Sequence, residues 1–138
     1  MTAHDGGVFA VERAIGSPVQ GPALVDPVLF SARYDLDWRR GVFSRLGHPL
    51  DGEPVAGTIL VCPGVQGGIA GGWAFLELAS RGLGFAGLVF GRTNPVVVQG
   101  AQAAGIAIAG GVDAAIFEHV RQGAPVRLDP EALRVTLL

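Results

Sequence analysis

The sequence contains no lysine, one cysteine and no apolar run long enough to cross a bilayer. Without lysine there is no Schiff-base chemistry and no phosphate-loop ammonium, and all ten basic residues are arginines. Cys62 alone excludes an internal disulfide and any multi-cysteine zinc or iron–sulfur site built by this chain. Arg92 and Asn94 interrupt the longest apolar stretch before it reaches the ~18–20 residues of a membrane-spanning helix. The arginines are scattered apart from Arg39-Arg40 and the net charge is −2, which argues against a nucleic-acid partner. Residues 1–5 are polar and no secretion-signal pattern follows them, so the expectation is a cytoplasmic protein with no membrane attachment.

What is abundant is small and apolar. The 138 residues suit one domain, 49% are hydrophobic, and the mean hydropathy is +0.43. Alanine, valine and glycine carry the surplus, which points to a surface buried against a partner.

The coarse order is read from alternation and breakers. Residues 8–15 read as one strand, 23–31 as an extended run that Pro27 pushes to an edge or bulge, and 35–41 as a charged loop. Residues 42–44 are short and extended, and 58–62 form a buried strand. Residues 63–72 form a glycine loop and 73–81 a helix closed by Gly82 and Gly84. A strand over 87–90, a helix over 95–103 with Pro95 in its first turn, and a strand over 106–108 follow. Residues 112–122 fit a helical face with a blurred start, and 126–137 read as a closing hairpin. The expected fold is a β-rich α/β domain, a partly closed barrel or stacked sheets with two or three helices. It is not a doubly wound nucleotide fold, because the Gly-x-Gly-x-x-Gly spacing and its acidic partner are absent.

The glycine loop is the best candidate site. Five glycines in ten residues leave main-chain amides uncovered at the positive end of a helix, where a carboxylate or phosphate can approach. The loop has no Ser, Thr, Cys, His or charged residue, so it can bind or position but cannot move a proton unaided. Gln66 either donates to a substrate carboxylate or caps a backbone group, and Arg33 is either an anion clamp or a solvated arginine. Asn94, the chain's one asparagine, caps the helix it precedes or touches substrate. His48 reads as a turn residue, His119 has no second ligand at i+4, and Cys62 packs at the end of a buried strand. Asp35 and Asp37 read as part of a charged loop, so the reading assigns no metal site.

Several ordered motifs carry a resemblance over roughly residues 6–137. They are Ser31, the segment 41–52 ending in His48-Pro-Leu-Asp-Gly52, the run 55–63, the glycine loop leading into Phe75-Leu-Glu-Leu78, and the segment 94–101. Together they resemble the small subunit of aconitase X, a swivelling β/β/α domain that works with a large, separately encoded or fused subunit. The resemblance implies a dehydratase half-enzyme for a small hydroxy acid, such as a hydroxyproline or a phosphorylated mevalonate. It also implies an iron or iron–sulfur centre in the large partner and none in this chain. In such relatives the loop reads Arg-Gly-Ser, with the serine as catalytic acid or base. Here Gln66 stands for the arginine, Gly67 is kept, and Gly68 occupies the serine position, so no catalytic residue is assigned. The Phe-aromatic-Gly-Gly expected after Ser31 is replaced by Ala32-Arg33-Tyr34-Asp35. The substrate-binding set expected from loop and resemblance together is Gln66, Gly67, Gly68, Gly71, Gly72, Arg33 and Asn94. The alternative is a binding or regulatory subunit without turnover. A phosphocarrier is set aside because no histidine lies between residues 63 and 81.

Overall fold

The computed structural model describes residues 7–138, so the polar segment 1–5 lies outside the described residues. Eight strands form one sheet, in the order β1 (Val8–Ala10), β10 (Arg134–Leu137), β9 (Pro125–Asp129), β3 (Val19–Val25), β6 (Ile59–Gly64), β7 (Gly87–Arg92), β8 (Ala107–Gly110), β2 (Arg13–Ile15). The strand β3 is the pivot. Its first half pairs antiparallel with β9, Pro22 opposite Pro125, and its second half pairs parallel with β6. β6, β7 and β8 continue in parallel through the crossover helices α2 (Ile69–Ser80) and α3 (Pro95–Ala103). A short helix α1 (Ala32–Asp35) leads into a two-stranded ribbon of β4 (Leu36–Asp37) and β5 (Val42–Phe43).

Period-two alternation in the central strands divides the core into two layers. Leu60, Cys62, Leu88 and Phe90 face α2, α3 and the 30–55 segment, where Phe30, Phe43, Phe75 and Leu78 pack. Ile59, Val61 and Val89 face the opposite way, onto Phe9, Val126, Leu128 and Val135. The layering is therefore sheet against sheet against helix, with three helices and mostly strand. The sheet is not closed. Its two edge strands are successive pieces of chain, and at their junction Val11 donates to Leu133 on one edge while Glu12 donates to Gly110 on the other. Among the described residues, no helix is long and apolar enough to cross a membrane.

Four expectations change. Residues 8–15 are two strands, because the chain steps from one sheet edge to the other at Val11 and Glu12. The run expected at 23–31 is a strand over Val19–Val25 that lies centrally, and Pro22 is accommodated where β3 exchanges partners. Within the segment 35–41, Asp35 closes a helical turn and Leu36–Asp37 pair with Val42–Phe43. The segment 112–122 yields only a 3-10 turn over Ala114–Glu118, started by Asp113 capping Ala115 at 3.0 Å.

Candidate functional site: an amide cradle above a buried charge cluster

The glycine run is not all loop. β6 extends to Gly64 and α2 begins at Ile69, so Gly71 and Gly72 lie in the first turn of the helix and only residues 65–68 connect the two. Gly72 is occupied in packing: a Cβ on Gly100 of α3 would stand 2.6 Å from the Gly72 Cα, so the two helices touch through bare backbone. Gly71 is buried beside Ala32. Gly67 holds φ +111°, which favours glycine, and a side chain on Gly68 would meet nothing within 4 Å.

The connection is pinned from both sides. The main-chain N–H of Gln66 donates to the Phe30 carbonyl at 2.7 Å, and Asn94 Nδ2 donates to the Gly67 carbonyl at 3.4 Å. Asn94 Oδ1 simultaneously accepts from Val97 N at 2.9 Å and caps α3, so both ends of that amide are committed within the chain. Asn94 thus shapes the loop. The amides of Gly67, Gly68, Ile69 and Ala70 donate to no main-chain carbonyl, and the first turn of α2 contains no acidic residue. Four free donors at a helix start, with the dipole behind them, make an anion-accepting cradle.

The cradle is one wall of a cavity of about 210 Å³, and Ser31, Arg33 and Tyr34 supply the other. The Arg33 guanidinium lies 5.1 Å from the Tyr34 ring centroid, both side chains are exposed, and Arg33 has no acidic partner among the described residues. Of the expected binding set, the fold brings together Gln66, Gly67, Gly68, Gly71 and Arg33. It turns Gly72 onto α3 and places Asn94 behind the loop. Ser31 and Tyr34 were not expected at the site, although their position beside Arg33 in sequence was the available signal. A larger cavity of about 350 Å³ lies beyond Asn94, lined by Ile15, Pro95, Val98 and Ile108 among others. It is not lined by the free amides of residues 67–70, so the smaller one is the better candidate anion site.

Directly beneath the Arg33 wall is a cluster that sequence reasoning did not foresee. Asp26, Asp35 and His48 place ligand-type atoms within 4.8 Å of one another, with both aspartates fully buried and the His48 side chain 4% exposed. Asp35 accepts from the Ser31 amide at 2.8 Å and from Arg45 at 3.1 Å. Asp26 Oδ1 accepts from Val28 N at 3.0 Å, while Asp26 Oδ2 and His48 Nε2, 3.4 Å apart, make no hydrogen bond. Each such orphaned atom costs about 1–3 kcal/mol. Burial pushes the Asp26 carboxyl above its ordinary range, helped by Asp35 and opposed by the Val28 amide and His48. Asp35 therefore partners Asp26, not Asp37, and His48 is a core residue stacked 5.0 Å from Phe43.

Cys62 does not fit an iron–sulfur ligand. Its thiol is buried, its one S–H lies between the Val28 and Gly64 carbonyls, 2.8 and 3.1 Å from Sγ, and burial pushes it up to about 12. His119 lies away from this cluster, its ring 5.8 Å from that of Phe9.

Fold and cradle together define a swivel-type α/β domain, an open layered sheet with uncovered helix-start amides beside a cavity. Residues 8–137 match the family profile of the aconitase X swivel domain, and the chain belongs to that family. A phosphomevalonate dehydratase small subunit of Methanocella arvoryzae is 30% identical over 120 residues, covering 87% of this chain and 91% of that one. The corresponding protein of Methanopyrus kandleri is 29% identical, covering 84% and 86%. Among solved structures, the holo-form of aconitase X from Thermococcus kodakaraensis superposes with a TM-score of 0.87 at 24% identity, covering 96% of this chain and 99% of that one. A solution NMR structure of a UPF0107 protein gives 0.86 at 30% identity, covering 95% and 98%.

Proposed function

We propose that this chain is the small subunit of a two-subunit hydro-lyase that dehydrates a small anionic hydroxy acid, of the phosphomevalonate or hydroxyproline class. The observation that carries the reading is the cavity itself. Four amides without a main-chain acceptor, and Arg33 without an acidic partner among the described residues, belong to the lining of a space of about 210 Å³, a set suited to recognising phosphate or carboxylate. The names of the Methanocella and Methanopyrus relatives support phosphomevalonate as the first substrate to test. The iron or iron–sulfur centre of such an enzyme belongs to the large partner, since the one thiol here is capped and buried. What this chain contributes is binding and orientation of the anionic end of the substrate.

The large partner covers the face that borders the cradle. Ile69 and Trp73 on α2 are 72% and 62% exposed, and with Leu76 and Val96 they line a shallow groove between α2 and α3. Such an aromatic and aliphatic patch beside a polar site is what an obligate subunit interface buries.

The second reading is a binding subunit without turnover. It is favoured by the absence of any proton-transferring side chain from Gln66 to Gly71. Co-expression with a large aconitase X-type subunit and a dehydration assay on phosphomevalonate and cis-3-hydroxyproline separates the two. Turnover by the pair supports the lyase. Turnover only after Gln66→Arg with Gly68→Ser, which the open space at Gly68 admits, supports the binding subunit. Inactivity of both pairs refutes the enzymatic reading.

A further inference from the structure

The cradle and the start of α3 are joined by one side chain. β6 and β7 pair in parallel as far as Gly64 opposite Arg92, so their outgoing connections, 65–68 and 93–94, leave the sheet side by side. Asn94 bridges them. Its Oδ1 accepts from Val97 N at 2.9 Å, which fixes that terminal atom as the oxygen and the other as the donor, 3.4 Å from the Gly67 carbonyl. Among the described residues no main-chain N–H donates to that carbonyl. A trans peptide carries its C=O and the following N–H on opposite sides. Holding the Gly67 carbonyl toward Asn94 therefore turns the Gly68 N–H the other way. Asn94 lines the cavity behind the loop and not the one lined by Gln66, Gly67, Gly68 and Arg33, so the N–H is turned toward the cradle. Gly67, at φ +111°, is the residue that lets the peptide stand like this.

We infer that Asn94 is the positioning residue of the cradle, which relays the positive end of α3 to the Gly68 amide and aims that amide at the anion. The inference deepens the proposed function by naming the residue that sets the geometry of the same site, and rests on that reading for its ligand. The relay is a row of amides running head to tail. Val97 N–H donates to the Asn94 side-chain amide, that amide donates to the peptide between Gly67 and Gly68, and the Gly68 N–H is left for the ligand. Each donation polarises the next donor in the same sense, and the row begins at a helix N-terminus. α2 supplies the amides of Ile69 and Ala70 directly, so an anion here is held by two helix starts, one of which reaches it through Asn94. The pair of roles explains an amide at this position. Serine would keep an acceptor for Val97 on a side chain too short to reach Gly67, and aspartate would keep the acceptor but has no N–H for a carbonyl. Asn94 itself does not touch the ligand.

The test is a titration of the full chain with inorganic sulfate, followed at each backbone amide by NMR, in the parent, in Asn94→Ser and in Asn94→Asp. Both variants keep a helix cap, so the melting temperature stays within about 2 °C of the parent. Without ligand, the Gly67 carbonyl carbon and the Gly68 amide nitrogen move upfield in both, because the hydrogen bond that polarised their peptide is gone. Sulfate binds about fivefold or more weakly to Asn94→Ser. At saturation its effect on the Gly68 N–H collapses, while its effects on the Ile69 and Ala70 N–H groups, which α2 holds in place, persist. Asn94→Asp binds sulfate more weakly still, since it also puts a negative charge behind the loop. A merely structural Asn94 would lower the melting temperature and weaken all three amides together, which overturns the relay. So does a Gly68 response in Asn94→Ser equal to that of the parent. If sulfate binds no form of the protein, the anion reading of the cradle falls, and the ligand-free Gly67 and Gly68 resonances decide the orientation: upfield movement upholds it, and its absence refutes it. Should Asn94→Ser not fold, Asn94→Asp decides by the same comparison of Gly68 with Ile69 and Ala70.

Discussion

Placing a carboxylate at the first position of α2 should stabilise the fold and weaken anion binding at once. Ile69 is that position. It is 72% exposed, borders the cradle, and follows a helix start with no acidic residue and no side-chain cap. In Ile69→Asp little apolar burial is lost, and the new charge meets the helix dipole for about 0.3–1 kcal/mol of added stability. For a domain of this size that is a rise in Tm of about 1–4 °C. For an anion held in the cradle that Ile69 lines, a separation of about 6 Å from the new carboxylate is taken as the working distance. With an effective dielectric constant of about 40–80, each unit of ligand charge is repelled by roughly 0.7–1.4 kcal/mol, so a dianion binds about 10- to 100-fold more weakly. Calorimetric melting and an NMR titration with inorganic phosphate measure the two effects on one sample, at low and high salt. A destabilised or merely inert α2 would lower or leave both quantities, whereas the cradle requires opposite signs. Undiminished phosphate affinity in Ile69→Asp refutes the placement of the site.

Three other outcomes are expected. Trp73→Glu should leave the melting temperature of the isolated chain within about 2 °C and weaken large-subunit association about tenfold or more in a pull-down titration, since an exposed aromatic at an interface core is a hot spot. Gly100→Ala, which favours an isolated helix, should here cost about 1–3 kcal/mol in urea unfolding because its Cβ meets the Gly72 backbone. Cys62 should resist iodoacetamide at pH 8 in the native chain and react once the chain is unfolded. The pH effect has a definite sign. The folded thiol titrates near 12 and the unfolded one near 9, so its contribution is complete below about pH 9 and is lost at about 1.4 kcal/mol per pH unit as pH rises toward 12. Cys62→Ala should remove that slope, and an unchanged alkaline melting curve would refute the burial argument.

Local pattern carried a good part of the architecture. The helix Pro95–Ala103 falls where Asn94-Pro95 marks its start, and the closing hairpin falls on its two alternating runs. β7 is found where a short apolar run lies between turn residues. The start of α2 was misread because glycine signals a loop in an isolated sequence. Here Gly71 and Gly72 are helical because Ala32 and Gly100 require close approach. The break between β1 and β2 left no local mark, because it depends on which sheet edges the chain connects.

The same division holds for the site. The uncovered amides were legible, since glycine content and a strand-to-helix transition are properties of neighbouring residues. Arg33 and Tyr34 join them only because Phe30 docks on Val65 as a bridge and carries α1 to the loop. Asp26 falls in an expected extended run, Asp35 in a charged loop and His48 in a turn, and only packing of the 30–55 segment against the sheet removes them from water together. Sequence by itself determined the strand and helix periods and the single-thiol, lysine-free chemistry, because these depend on residue identity and spacing. Tertiary structure alone decided which charges share a dry interior, because desolvation and charge pairing act between groups that chain order keeps apart.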